Sequence, residues 1–279
     1  MIVLSHFQIK PLFQAHKQGE ERFSLSLDLN RSQSEVLLDV EGVTFPDGQR
    51  LAWAQFQEIL DHEHACFVLE AQELERVHFF SPRFQRVYTL CPTERAPTML
   101  LASFPMHRIK GIDPSEDTRR KIRALAPVQG TVLDTTMGLG YTAIEAARTA
   151  SRVTTLELDP IVLEVARRNP WSQELFTNPR IERRIGSAVD ILPELPDKAF
   201  HCILHDPPTI RIAGELYSSA FYRELHRILK RGGRLFHYVG DLESASVQSV
   251  VKGVVRRLQD VGFQRVVRVP EAFGVVAYL

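Results

Sequence analysis

From Asp113 onward the chain alternates short apolar runs with amphipathic ones, and few folds accept that rhythm. TVLD (131–134), VTTLEL (153–158), RIERRI (180–185), FHCILHD (200–206) and RLFHYV (234–239) have the length and composition of strands. Between them the apolar spacing becomes helical: from Tyr141 to about Ala150, from Pro160, over 216–230 and over 245–260. An earlier helix is signalled by DPSEDTRRKIRALAP, with Asp113 as cap, Pro114 at the first helical position and Glu116 in the first turn. Such alternation predicts an α/β fold with a doubly wound, mostly parallel sheet. The last two runs, FQRVVRV (263–269) and FGVVAYL (273–279), are joined through Pro270 by a link too short for a parallel crossover. They predict a terminal antiparallel hairpin that completes a seven-stranded sheet.

Residues 1–110 keep the period of strands. FSLSLDL (23–29), SEVLLDV (34–40), ACFVLEA (65–71), RVHFFS (76–81) and RVYTLCP (86–92) are interrupted by one helical stretch, LAWAQFQEIL (51–60). Two domains are expected: a smaller β-rich one over 1–110, suited to positioning a substrate, and the α/β domain over 111–279. His62 and His64 in DHEHA read as a solvated polar cluster on a turn, and no metal site is expected. Cys66, Cys91 and Cys202 lack CxxC spacing and read as buried thiols of a reducing compartment. With 34 basic and 34 acidic residues the chain has no general basic coat, although a neutral total is compatible with a local basic stripe. The start, MIVLSHFQIKPLF, lacks the build of a secretion signal, and no run reaches the length of a membrane span. The expected location is cytoplasmic.

In doubly wound sheets ligands bind beyond the carboxyl ends of the strands. The first strand here runs into VLDTTMGLGYTA. Gly138 and Gly140 permit a tight turn and close approach of backbone to ligand, and the helix opening at Tyr141 adds its positive end. The third glycine of a dinucleotide fingerprint is missing, since Thr142 and Ala143 stand there. Glu157 ends the second strand, where a carboxylate can accept both hydroxyls of a ribose. Dinucleotides, flavins and S-adenosylmethionine all suit this geometry. Asp134, ending the first strand, favours the last: it would repel a pyrophosphate and attract a sulfonium and an amino group.

On these residues the sequence resembles the class I S-adenosylmethionine-dependent methyltransferases over roughly residues 113–279. More narrowly, LDTTMGLGYTAIEAA, NPWS (169–172) and HDPPTIRIAGELYSSAFYRELHRILKRGGRLFHYVG resemble a group of largely uncharacterised archaeal-type methyltransferases with a DPP motif. The resemblance implies that Asp134, Gly138 and Gly140, with Tyr141 behind them, form the loop around the methionine end of the cofactor, and that Glu157 binds its ribose. It also implies an adenine contact after the third strand. There IGSAVD offers Ser187 at the family's usual acid position and Asp190 three residues on, and the choice stays open. Trp171 of NPWS follows the second helix and reads as a structural corner.

The run His205-Asp206-Pro207-Pro208-Thr209 ends the fourth strand. In methyltransferases a (D/N/S)PP(Y/F/W) motif marks enzymes that act on a planar exocyclic nitrogen. An aromatic amine is a poor nucleophile because its lone pair spreads into the ring. A carboxylate and the Pro207 carbonyl, stiffened by tandem prolines, can accept its two N–H bonds and stabilise the charge that develops on it. Thr209 replaces the aromatic residue that usually stacks on a base, and Tyr217 could supply a ring instead. His205 and His237 end neighbouring strands and are candidates for the cleft wall. The expected activity is N-methylation of an exocyclic amine of an RNA base, in rRNA or tRNA. PMHRIKG (105–111) and RRKIR (119–123) are the candidate phosphate contacts. One alternative is aminopropyl transfer from decarboxylated S-adenosylmethionine to a small amine, making a polyamine, with Asp134, Glu157, Asp159, Asp190 and Asp206 holding the polycation. Another is a non-catalytic protein that keeps the cofactor pocket. A homodimer is compatible with each.

Overall fold

The computed structural model describes residues 1–279. Its backbone clusters into two compact units, Met1–Ser115 with Ile161–Gln173, and Glu116–Pro160 with Glu174–Leu279. This partition differs from a cut at residue 110 because the NPWS segment clusters with the N-terminal residues. Trp171 Nε1 donates to the Leu29 carbonyl at 2.9 Å, and the Arg31 guanidinium donates to the carbonyl of Pro170. Trp171 is a corner, capped by the Asn169 side chain.

The first unit holds three small antiparallel sheets. It also holds a helix, His6–Lys17, that no expectation covered. Ser5 and Gln8 form a capping box at its start, and Ile9, Leu12 and Ala15 carry it into a core with Leu51, Phe56, Ile59 and Phe67. The helix expected at 51–60 is Gln55–Asp61, because Arg50–Ala52 pairs instead as a strand with Gly42–Thr44.

The second unit is the predicted α/β layer structure. Its strands are β1 (Thr131–Asp134), β2 (Arg152–Glu157), β3 (Ile181–Ile185), β4 (Phe200–His205), β5 (Leu229–Tyr238), β6 (Arg265–Val269) and β7 (Gly274–Tyr278). They lie in the order β3-β2-β1-β4-β5-β7-β6. The first five are parallel, while β7 runs antiparallel to both β5 and β6, so the terminal hairpin is as expected. On one face Leu133, Leu156, Ile203, Leu235 and Ala277 of the sheet meet Tyr222 and Leu225 of helix Ser219–Ile228 and Val251, Val254 and Leu258 of helix Ala245–Asp260. Each such Leu, Ile or Val side chain contributes roughly 1.5–3 kcal/mol by leaving water. Two boundaries differ from expectation. The helix from Tyr141 ends at Ala146, and the one expected over 216–230 starts only at Ser219, where the Ser218 hydroxyl caps it by accepting from the Phe221 amide. No helix is long and apolar enough to cross a membrane.

Candidate active site

The parallel register places Asp134 beside Leu204, so the loops leaving β1 and β4 emerge side by side at the carboxyl edge of the sheet. The loop after β1 is pinned by the Met137 amide on the Leu156 carbonyl at 2.7 Å and closes with the Gly140 amide on Met137 at 2.8 Å. Its two glycines do different work. Both have left-handed backbone, φ +53° at Gly138 and +79° at Gly140. A Cβ on Gly140 would lie 2.7 Å from Leu175 Cδ2, whereas one on Gly138 would meet nothing within 4 Å. Gly140→Ala should therefore cost about 2 kcal/mol of stability, from backbone strain plus displacement of Leu175. Gly138→Ala should cost about 1 kcal/mol and chiefly weaken cofactor binding by filling the open side of the loop. Urea denaturation and calorimetric titration of both variants check the contrast.

Asp134 is wholly buried. Its Oδ2 accepts the hydroxyls of Thr142 at 3.0 Å and Thr155 at 2.9 Å, and its Oδ1 is a buried oxygen with no partner. Burial lifts its pKa to about 7, against the pull of those two hydroxyls. Glu157 Oε2 accepts the Gly138 amide and its Oε1 the Asp159 amide, both at 3.0 Å, which ties the end of β2 to the glycine turn. Burial raises this carboxyl too to about 7, with the amides of Asp159, Gly138 and Leu158 opposing.

These shifts fix a sign. A carboxyl whose folded pKa is raised binds a proton that the unfolded chain has already lost, so the cost of burying its charge grows as pH rises from about 4.5 to 7. Asp134 acts alike, while His205, lowered to about 3 by burial, acts oppositely: its stabilisation is complete above 6.5 and lost as pH falls. The wild-type profile sums these opposing contributions, so Glu157 is isolated by difference. Without cofactor, Glu157→Gln should gain about 1–2 kcal/mol relative to wild type between pH 4.5 and 7.5, followed by denaturant titration at each pH.

Of the two candidate adenine contacts, Ser187 spends its hydroxyl capping helix Ala188–Ile191, accepting the Val189 amide at 3.2 Å, and Asp190 is exposed. Sequence reasoning missed the apolar pair beside them. Ile185, in register with Glu157 at the end of the edge strand β3, and Val189, in the helix that follows, are 47% and 38% exposed. Their signal was in the sequence, as the apolar residues two places either side of Ser187 within IGSAVD. Tyr141 begins the helix Tyr141–Ala146 with its side chain 8% exposed, so its backbone is what it offers to the loop.

The DPP segment is tied to the glycine loop. The Thr136 hydroxyl donates to the Asp206 carbonyl at 2.9 Å, and the Thr135 amide donates to the Leu204 carbonyl at 3.0 Å. Tyr217 is 3% exposed, and its hydroxyl donates to the Pro208 carbonyl at 3.0 Å, so it braces the proline turn and has no free face for a base. Thr209 is exposed, and its carbonyl accepts the Ile212 amide. His205 and His237 are sealed from solvent: His205 is bonded to Thr135 Oγ1 at 2.7 Å and to the Leu216 carbonyl at 3.0 Å, and His237 to Tyr222 Oη at 2.8 Å. Burial lowers both imidazoles, leaving them neutral struts beneath the site.

Asp206 itself is 19% exposed and has a partner the sequence did not reveal. Lys121 Nζ lies 2.6 Å from Asp206 Oδ2 and 2.7 Å from Asp117 Oδ2, and 4.7 Å from the centre of the Tyr238 ring. Lys121 is buried, so it is withdrawn from the surface role expected of RRKIR, and Arg119 and Arg120 pair with Glu116. Burial alone would lower the lysine, but the two carboxylates outweigh it and hold the ammonium above its ordinary range. Burial raises Asp206, with Lys121 opposing.

Residues 133–237 match the family model described as a methyltransferase domain. The uncharacterized protein MJ1233 of Methanocaldococcus jannaschii is 42% identical over 268 residues, covering 94% of this chain and 91% of that one. The chain belongs to the class I S-adenosylmethionine-dependent methyltransferases. The methyltransferase is also 34% identical over 104 residues to the polyamine aminopropyltransferase of Sulfolobus acidocaldarius, a match that spans 35% of this chain and 34% of that one. Its fold is similar to that of spermidine synthase from Thermotoga maritima, with a TM-score of 0.57 and 18% identity over 72% of this chain and 70% of that one.

The residues present fit the cofactor of this family, S-adenosylmethionine. The space in front of Gly138 is open, the Glu157 oxygens that accept the Gly138 and Asp159 amides retain lone-pair capacity for a hydroxyl, and Asp134 Oδ1 is a buried acceptor with no partner. Glu157 would hold the ribose, the loop 135–140 the methionine end, and Ile185 and Val189 would flank the adenine. When bound, the cofactor supplies an electrophilic methyl group.

Proposed function

We propose that this methyltransferase alkylates an exocyclic amine nitrogen, and that the amine belongs to an RNA base. The observation that carries the reading is the position of Asp206-Pro207-Pro208, held against the glycine loop by Thr136 and stiffened from behind by Tyr217. Lys121 occupies Asp206 Oδ2, which leaves Oδ1 to accept one N–H of the amine, and the Pro207 carbonyl can take the other. Both acceptors are in place before reaction, so they stabilise positive charge on the nitrogen without reorganising. Asp206 then receives the proton that the alkylated nitrogen must lose. Tyr217 leaves no ring for stacking, and the exposed Ile210 and Ile212 after the motif are the apolar surfaces available to a planar base.

Aminopropyl transfer is the second reading, favoured by the match to an aminopropyltransferase over 104 residues. The two differ in what they take from the donor. Calorimetry with S-adenosylmethionine and with its decarboxylated form, followed by mass analysis of products from an RNA pool and from putrescine, separates them. Preference for the intact donor and a methyl increment on RNA support the proposal. Preference for the decarboxylated donor with an aminopropyl increment on putrescine would replace it.

A further inference from the structure

We propose that Lys121 sets the charge of the acceptor: its ammonium is the resident cation of the amine site, so the site takes a weakly basic, uncharged amine and rejects an alkylammonium. The inference rests on the reading that Asp206 receives an amine. Two carboxylate oxygens at 2.6 and 2.7 Å and an aromatic face at 4.7 Å are the surroundings that an external alkylammonium would seek. Here the chain fills them itself. Lys121 sits one helical turn after Asp117, on helix Pro114–Leu125, and both side chains are all but closed to solvent. Vacating the seat would strand a buried carboxylate at Asp117, and an arriving cation would compete for Asp206 with a partner that cannot diffuse away.

What remains for a substrate is Asp206 Oδ1, beside a fixed positive charge and at a strand end that Thr136 ties to the glycine loop, where the donor's sulfonium would be held. A second cation there meets repulsion that solvent hardly screens. An alkylamine is protonated at neutral pH and has no lone pair to offer, whereas an exocyclic amine on an aromatic ring is uncharged and keeps one. Both facts select the same acceptor class, and both exclude the polyamine precursors that an acid-lined site would otherwise attract.

The test is binding, not turnover, on protein loaded with S-adenosylhomocysteine. Wild type should show no putrescine binding at millimolar concentration, and the ε-carbon resonance of Lys121 in lysine-labelled protein should not move when putrescine is added. Lys121→Ala, which empties the seat and keeps both carboxylates, should bind methylammonium at least tenfold more tightly than wild type. The charge-balanced pair Asp117→Asn with Lys121→Met should not gain that binding. If Lys121→Ala is unfolded alone, recovery of its fold with methylammonium is the same supporting result, and indifference to methylammonium overturns the inference. Putrescine binding wild type as tightly as Lys121→Ala, or shifting the Lys121 resonance, also overturns it. Failure of methyl transfer to RNA would instead sink the substrate reading and leave these binding results as they stand.

Discussion

Asp206→Asn should lower the rate constant for transfer by about a hundredfold to ten-thousandfold while leaving the affinity for S-adenosylmethionine within about threefold of wild type. Asparagine keeps an oxygen near the amine but loses the charge that stabilises the developing ammonium and the base that removes its proton. The residues proposed to hold the cofactor are Glu157 and the glycine loop, which Thr136 joins to the Asp206 backbone carbonyl, and that link survives the substitution. Single-turnover transfer and calorimetry on the same preparation measure the two effects separately. Equal losses in both would place Asp206 in cofactor binding instead.

Lys121→Met should be the most destabilising change at the site. Removing the ammonium leaves Asp117, fully buried, and Asp206 with no counter-charge, and stranding buried ionic partners costs about 3–5 kcal/mol. Adding Asp117→Asn removes one of the stranded charges and should recover about half of that loss. Urea denaturation of the single and double variants gives the comparison. A single variant as stable as wild type would mean that the carboxylates are protonated or solvated without the lysine, and the buried triad would lose its role as an electrostatic unit.

The sheet was legible because strand and helix periods differ and because a short link after residue 269 admits only an antiparallel return. The glycine turn, Glu157 and DPP were legible because each sits at a strand end, where the next residue leaves the sheet. Lys121 was not. It meets Asp206 across 85 residues, and its helix hides a polar contact among core positions. Pro114, Asp117, Thr118, Lys121 and Leu125 are buried at helical spacing, yet three of the five are polar or charged, so the run reads as a solvated face. The helix His6–Lys17 was missed for a related reason: Pro11 inside it argues for a break, and only the Ser5–Gln8 box marks the start. Burial of His205, His237 and Tyr217 was also beyond reach, since a strand-end residue can point into the cleft or beneath it with the same sequence.

The most direct test follows the methyl group itself. RNA from cells lacking the protein is incubated with wild type or Asp206→Asn and methyl-labelled S-adenosylmethionine, digested to nucleosides and resolved by mass spectrometry. Label on the exocyclic nitrogen of one base, present with wild type and nearly absent with the variant, is the predicted result. Label on a ring carbon or a ribose oxygen, or equal labelling by both proteins, would contradict an amine held by Asp206.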